Sequence, residues 1–289
     1  MAVRELSSPP SMRTLYPKAV AGAGRSALRK LPGLGGADRQ LPDTQLVLSG
    51  FDVDREHLAA YVRVCGFRLR DELPPTYPHV LAFPLAMELM TDSSFPFPVI
   101  GLVHVRNRIE QVRPIGADEQ LDVQVSAADL RPHDRGTQFD LVADVDAGGK
   151  RVWQSRSTYL HREGGSSKKG GREERPEPPE PSAVWKLPGD IGRRYAEVSG
   201  DRNPIHLHPL SARLLGMPRA IAHGMWLKAR CLAALEALVP DSFEVDVQFK
   251  LPVTIPGRVS FASWPEDEGR GFSLYDAGNE KPHLRGELR

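Results

Sequence analysis

The chain has 289 residues, which is enough for one large domain or two smaller ones. Hydrophobic residues make up 40% of it and charged residues 26%, an ordinary globular composition that excludes collagen-like, coiled-coil and disordered chains. The 38 Lys and Arg residues balance 37 Asp and Glu residues, so the net charge of +1 gives no general electrostatic footprint for nucleic acid or an anionic membrane. We therefore expect no nucleic-acid partner.

The cysteine content and the hydropathy indicate the compartment. The chain has two cysteines, Cys65 and Cys231, which are too few for a disulfide framework or a cysteine-based zinc site. No apolar run approaches the roughly 20 residues needed to span a bilayer. We expect a cytoplasmic protein without a membrane span.

Composition divides the chain into four segments. Residues 1–45 are rich in proline and glycine, which predicts a loosely ordered N-terminal arm. Residues 162–183 are almost entirely Gly, Ser, Pro and charged residues, the composition of a linker. The remaining segments, 46–161 and 184–289, are two halves of similar size.

The two halves contain an internal repeat. The sequence Y-V-R-V-C-G at 61–66 resembles Y-A-E-V-S-G at 195–200, which lies 134 positions later. Residues 78–85 and 218–225 form a second matching pair in the same order. We therefore expect both halves to adopt the same fold.

The predicted elements repeat in the same way. An almost uncharged stretch in each half, 80–90 and 220–227, predicts a buried helix. Alternating apolar residues then predict strands at 121–125, 139–145, 243–251, 259–261 and 272–274. Turn sequences between them favour antiparallel connections. The predicted fold class is α+β, with a buried helix followed by an antiparallel sheet twice over.

Only the second half carries a dense polar segment. It reads Y-A-E-V-S-G-D-R-N-P-I-H at 195–206, and Phe67 and Glu72 stand at the positions that match Asp201 and His206. Such a sequence is also typical of turns, because Asp and Asn bond to their own backbone. Asp201 and His206 could nevertheless face one point across the Asn-Pro turn, as general acid–base chemistry requires.

Gly224 opens the predicted helix of the second half, directly after His223. The first N–H groups of a helix have no intrahelical partner and can bind a developing oxyanion, and glycine allows a substrate oxygen to approach closely. The alternative is that Gly224 only permits tight packing. The first half has Phe83-Pro84 at the equivalent place.

The motif at 195–206, followed by I-A-H-G-M at 221–225, resembles that of the MaoC-like dehydratases, the (R)-specific enoyl-thioester hydratases of hot-dog fold. The resemblance implies reversible hydration of trans-2-enoyl thioesters in fatty-acid metabolism, with neither a cofactor nor a metal. Asp201 and His206 would activate a water, the Gly224 N–H would bind the thioester carbonyl, Asn203 would orient the pair or the water, and His223 would shape the loop.

Two-repeat members of that family pair a degenerate hot dog with a catalytic one. By resemblance, 46–161 would be the non-catalytic repeat and 184–289 the catalytic repeat, forming an intrachain pseudo-dimer with further homodimerisation open. The expected partner is an acyl-CoA or acyl-carrier-protein thioester.

Three alternatives remain. A hot-dog thioesterase would release free thiol, and a non-catalytic acyl-binding subunit would bind without turnover. A metal site built from Asp201, His206, His208 and His223 is also conceivable, since these are competent ligands.

Overall fold

The computed structural model describes residues 1–29, 39–163 and 178–289. The elements up to residue 162 are β1 (Ala2–Glu5), α1 (Met12–Arg29), β2 (Thr44–Phe51), α2 (Arg55–Cys65), α3 (Tyr77–Thr91), β3 (Leu102–Gln111), β4 (Leu121–His133), β5 (Gly136–Ala147) and β6 (Lys150–Arg162). The later elements are β7 (Ala183–Leu187), α4 (Ile191–Ser199), α5 (Pro204–Leu207), α6 (Pro209–Leu214), α7 (Gly224–Ala234), β8 (Phe243–Phe249), β9 (Gly257–Glu266), β10 (Gly269–Asp276) and β11 (Pro282–Leu288).

The described strands form a single eleven-stranded sheet. Their order is β1-β2-β4-β5-β6-β3-β8-β11-β10-β9-β7, so each half contributes a contiguous block of strands. The blocks join where β3 pairs antiparallel with β8, from Arg106 opposite Gln248 to Gln111 opposite Phe243. All other neighbours are also antiparallel except β1 and β2.

A buried apolar helix lies against each block. Helix α3 buries residues on all sides, including Leu85 and Met87, and α7 buries Trp226 and Leu232. A helix that is apolar all round must be enclosed, and the sheet encloses it. The predicted α+β architecture with two helix-and-sheet repeats is therefore confirmed.

The repeated Y-x-x-V-x-G sequence forms helices α2 and α4. Gly66 and Gly200 end these helices with φ of 82° and 74°, the left-handed C-terminal cap that glycine adopts without strain. The two tyrosines of the repeat, Tyr61 and Tyr195, are buried with ring centroids 6.3 Å apart. The repeated sequence thus encodes a helix end and a contact between the halves.

A buried lysine lies beneath the junction of β3 and β8. Lys228 is fully buried, and its Nζ donates to the Asn107 carbonyl at 3.0 Å, the Asn107 side-chain oxygen at 2.6 Å and the Val245 carbonyl at 3.1 Å. Burial lowers the pKa of Lys228 well below its usual value. Three acceptors from two strands of different halves offset this cost of burial.

The structure differs from the prediction of a loosely ordered arm at 1–45. Residues Ala2–Glu5 pair with β2, and α1 packs through Leu15 and Ala19, which are 1% and 2% exposed. Leu15 and Ala19 are one helical turn apart and so share a face, a pattern that the many prolines and glycines obscured. Residues 30–38 of the arm and 164–177 of the predicted linker lie outside the described residues.

Strand boundaries depart from the sequence prediction in two ways. Strand β8 ends at Phe249, and Leu251 is 41% exposed, so the alternating pattern overran the strand. Strands β6 and β7 extend into the ends of the predicted linker, to Arg162 and from Ala183. In residues 1–29, 39–163 and 178–289, no helix is long and apolar enough to cross a membrane.

Substituting Gly66→Ala should lower the free energy of unfolding by about 1–2 kcal/mol, because a Cβ is strained at positive φ. Space is not the cause, since the nearest atom to an added Cβ is the end of the flexible Arg230 side chain, at 3.2 Å. Urea unfolding measures the change. Gly278→Ala is the control, because Gly278 has no positive φ, and an equal loss in both variants would contradict the prediction.

Candidate active site

The candidate site begins where α4 ends. The left-handed Gly200 turns the chain out of the helix, and residues 201–203 run without regular structure before Asn203 caps the short helix α5. The Asn203 side-chain oxygen accepts from the Ile205 N–H at 3.4 Å. This turn places Asp201 and His206 on the same side of the loop, as the turn sequence requires.

Gly192 allows α5 to lie close to α4. A Cβ at Gly192 would fall 2.0 Å from the His206 carbonyl oxygen, so only glycine fits there. Sequence reasoning missed this residue, because a lone glycine inside a helix carries no functional signal. Its effect is to fix the backbone that carries His206.

His206 is held in one tautomer. It is 9% exposed, and its Nδ1 lies 2.8 Å from the Ile221 carbonyl oxygen, which can only accept. Nδ1 therefore carries the proton, and in the neutral ring Nε2 is left as an acceptor. Burial lowers the pKa of His206 although Asp201 and the Ile221 carbonyl act in the opposite direction, so the neutral, basic form is favoured.

His223 supports both residues. Its Nε2 donates to the Asp201 backbone oxygen at 2.9 Å, and its ring stacks on the His206 ring at 3.7 Å between centroids. Burial, helped by His206, lowers the pKa of His223 to about 3, so this ring is neutral near pH 7. These contacts agree with the predicted role in shaping the loop.

The two oxygens of Asp201 have different surroundings. Oδ1 accepts from the Asn203 backbone N–H at 3.1 Å and from the Tyr16 hydroxyl at 3.2 Å, whereas Oδ2 lies 3.8 Å from His223 Nε2. The side chain is 30% exposed, so the carboxylate remains within reach of a small molecule. The Asn203 contact is made by its backbone, and its side chain caps α5 instead.

Asp201 is held in its ionised form. Burial raises its pKa, but the His223 and His206 imidazoles and the hydrogen bonds from the Asn203 amide and the Tyr16 hydroxyl together bring the pKa below its usual value. Two donors to one carboxylate oxygen favour the charged state. An ionised carboxylate next to a neutral imidazole is an arrangement suited to general acid–base chemistry.

Gly224 is the first residue of α7, and His223 immediately precedes the helix. The first intrahelical bond is donated by the Leu227 N–H to the His223 carbonyl at 3.1 Å, and the His223 side chain makes no capping bond in the described structure. A Cβ at Gly224 would meet the Phe249 ring at 3.0–3.2 Å. The structure therefore gives a packing reason for this glycine alongside the chemical one.

Asp201 and His206 lie close together in the structure, and His223 joins them. One side-chain ligand atom from each lies within 4.8 Å of the other two, a spacing that would also admit a cation. The fourth residue of the metal alternative, His208, is exposed and outside this group. Nδ1 of His223 is buried without a hydrogen-bond partner among the described residues.

Comparisons with known proteins agree with this geometry. A family model described as MaoC like domain matches residues 173–282. The 3-hydroxyacyl-thioester dehydratase X of Mycobacterium tuberculosis is 37% identical over 268 residues, which cover 92% of this chain and 95% of that protein. The residues matched by the family model include all five predicted site residues: Asp201, Asn203, His206, His223 and Gly224.

Solved structures extend the similarity to the whole fold. The crystal structure of HtdX from Mycobacterium tuberculosis superposes with a TM-score of 0.77 at 36% identity, covering 85% of this chain and 99% of that chain. A Mycobacterium tuberculosis protein described as having a double hotdog fold superposes with a TM-score of 0.52 at 12% identity, covering 84% of this chain and 94% of that one. The predicted double hot-dog fold is confirmed.

The lowered pKa of His223 predicts how stability depends on pH. The unfolded chain takes up a proton on this histidine near pH 6.5, whereas the folded protein does so only near pH 3. The stabilisation is therefore complete above pH 6.5 and is lost as the pH falls towards 3, by about 1.4 kcal/mol per unit.

The variant His223→Gln keeps a donor for the Asp201 carbonyl but does not titrate. Its free energy of unfolding should fall less steeply than that of the wild type between pH 6.5 and 4, measured by urea unfolding at each pH. His208→Gln controls for the substitution itself. Equal slopes for wild type and His223→Gln would contradict a buried neutral His223.

Proposed function

Because the chain belongs to the MaoC-like dehydratase family, we propose that it adds water reversibly to trans-2-enoyl thioesters and gives (R)-3-hydroxyacyl thioesters. The observation that carries this proposal is the convergence of the partly exposed Asp201 with His206 on the family's motif. Acyl-CoA and acyl-carrier-protein thioesters of fatty-acid metabolism are the proposed substrates, and the Mycobacterium tuberculosis relative is named as a dehydratase of 3-hydroxyacyl thioesters.

Asp201 and His206 would hold one water between them. The ionised carboxylate and the His206 Nε2 lone pair are both acceptors, so each can take a hydrogen bond or a proton from that water. As the water oxygen bonds to carbon 3 of the enoyl group, the water gives one proton to the pair and keeps the other as the 3-hydroxyl. The pair then returns one proton to carbon 2 and regains its starting state. Dehydration follows the same path in reverse.

The N–H of Gly224 would bind the thioester carbonyl. Negative charge develops on that oxygen when carbon 3 is attacked, and an N–H at the start of α7 stabilises it together with the helix dipole. His223 and the Asn203 backbone would act on the pair by positioning Asp201. The proposed mechanism needs neither a metal nor a cofactor.

We propose that 46–161 is the non-catalytic repeat and 184–289 the catalytic one. Phe67 and Glu72 stand in place of the acid and the imidazole. Glu72 is exposed, and its backbone forms an isolated β-bridge with Gly116. The β3–β8 pairing gives the two repeats an interface within one chain, as in a pseudo-dimer. Cys65 and Cys231 are free and buried, which suits the reducing cytoplasm proposed as its compartment.

Substituting Asp201→Asn or His206→Ala should lower kcat for hydration by about 10²–10⁴, because each removes one member of the acid–base pair. The measurement is the loss of conjugated enoyl absorbance with trans-2-enoyl-CoA substrates of short and long chain. His208→Ala, an exposed histidine of the same segment, is the matched control. Dialysis against a chelator should leave the wild-type rate unchanged.

Three results would contradict the hydratase proposal. Release of free thiol at the rate of enoyl loss would indicate a thioesterase. Tight thioester binding without turnover, on both CoA and carrier-protein substrates, would indicate an acyl-binding subunit. Loss of activity on chelation, restored by a divalent cation, would indicate a metal at Asp201, His206 and His223.

The packing and chemical roles of Gly224 can be separated. Gly224→Ala should lower kcat by about 10²–10³, comparable to the loss of one oxyanion donor. The double variant with Phe249→Leu removes the ring that an added Cβ would meet at 3.0–3.2 Å. If the substrate oxygen needs the space, the double variant stays slow, whereas recovery of the rate would assign Gly224 to packing.

A further inference from the structure

Helix α1 is attached to both repeats. Its Leu15 and Ala19 are buried in the hydrophobic core, and its Met12 lies against Gly200, where an added Cβ would be 3.4 Å from the Met12 side chain. Gly200 immediately precedes Asp201. The first turns of α1 therefore pack directly on the loop that carries the proposed catalytic carboxylate.

Tyr16 on this helix makes two hydrogen bonds to that loop. Its hydroxyl accepts from the Arg202 backbone N–H and donates to Asp201 Oδ1 at 3.2 Å. The direction of both bonds is fixed, because an N–H can only donate and an ionised carboxylate can only accept. One hydroxyl thus binds the side chain of Asp201, 185 positions later in the chain, and the backbone of Arg202, 186 positions later.

The arm is also anchored by charge. Glu88, on the buried helix α3 of the first repeat, pairs with Arg4, and Lys18 of α1 lies 3.9 Å from the same carboxylate. Strand β1, which precedes α1, pairs with β2. These contacts attach the N-terminal arm to the first repeat while Tyr16 contacts Asp201.

The two carboxylate oxygens of Asp201 have different partners. Oδ1 is fully used by the Tyr16 hydroxyl and the Asn203 N–H, and Oδ2 is the oxygen near His223. A carboxylate held through one oxygen has a fixed plane, so the other oxygen points in one direction. In the proposed hydration, that direction decides where the water lies.

We propose that Tyr16 is a positioning residue, which holds Asp201 through Oδ1 so that Oδ2 faces the water of the hydration reaction. The inference rests on the proposed function. It adds to the site a residue from outside the MaoC like match at 173–282, supplied by the N-terminal arm. Tyr16 acts through Asp201 and need not contact the substrate.

Electrostatics agree with this role. The hydrogen bond from Tyr16 lowers the pKa of Asp201, and burial keeps the Tyr16 hydroxyl protonated by raising its own pKa, so it remains a donor. Other charged and titratable groups also surround this pair. His206 and His223 act on Asp201, and Arg202 acts on Tyr16. The Asp201 charge in turn acts on Tyr195, His79, His104 and Tyr159.

The variant Tyr16→Phe tests the proposal, because it removes the hydroxyl and keeps the ring. At the optimum pH, kcat for hydration should fall roughly tenfold, the loss expected for one hydrogen bond to a charged group, with KM changed less than twofold. Without the Tyr16 donor, the pKa of Asp201 rises. The acid limb of the kcat profile should therefore move to higher pH.

Tyr275→Phe is the matched control. Tyr275 is half-buried on β10 and lines a different cavity with Arg106 and Asp246, so its removal should leave the profile unchanged. Melting temperatures of both variants are measured alongside. A lower melting temperature is corrected for by assaying well below it, which keeps the pH profile informative.

The outcomes separate this inference from the proposed function. If the wild type is active and slowed by Asp201→Asn, but Tyr16→Phe leaves the acid limb in place, the positioning role is wrong. A changed KM with an unmoved acid limb would instead assign Tyr16 to substrate entry and overturns the proposal equally. If the wild type hydrates no enoyl thioester, the proposed function itself fails.

Discussion

The hydrogen bonds of the buried Lys228 Nζ are the interaction on which the geometry of the molecule depends. This Nζ bonds to Asn107 of β3 and to Val245 of β8, the two strands that join the halves. Asn107 in turn donates to Ser155 and Ser157 of β6, so the polar network continues into the first half. Gly224 lies one helical turn before Lys228, and the N-terminus of α7 is therefore fixed relative to both repeats.

Equivalent positions on the buried helices α3 and α7 carry charged residues with different roles. Lys228 and Glu88 are charged residues at equivalent positions of two buried helices, 140 positions apart. Lys228 holds the halves together from within, while Glu88 binds Arg4 and Lys18 of the N-terminal arm. Equivalent positions of the two repeats thus have different partners, and the arm reaches the second repeat from its anchor on the first.

Regular patterns made much of the fold predictable. The period-two segments predicted five of the eleven described strands, β4, β5, β8, β9 and β10, and the uncharged stretches predicted the buried helices α3 and α7. The motif singled out Asp201, His206 and His223. Strand β3 was missed because its sequence, L-V-H-V-R-N-R-I-E-Q, places the buried Asn107 where an apolar residue would signal a strand. The arm was misjudged because Pro17 lies inside α1. No local pattern could show that Tyr16 meets Asp201, since only the docking of α1 creates that contact.

The continuous sheet sets the smallest functional unit of this protein. A module cut at 184–289, the repeat proposed as catalytic, would carry the whole motif, yet it would leave the edge of β8 unpaired where β3 now lies. An open strand edge is a template for association with other chains. Such a module would also lack Asn107 as an acceptor for Lys228 and Tyr16 as a donor to Asp201. The motif alone therefore does not specify the site, because the first repeat and the N-terminal arm supply contacts on which the site residues depend.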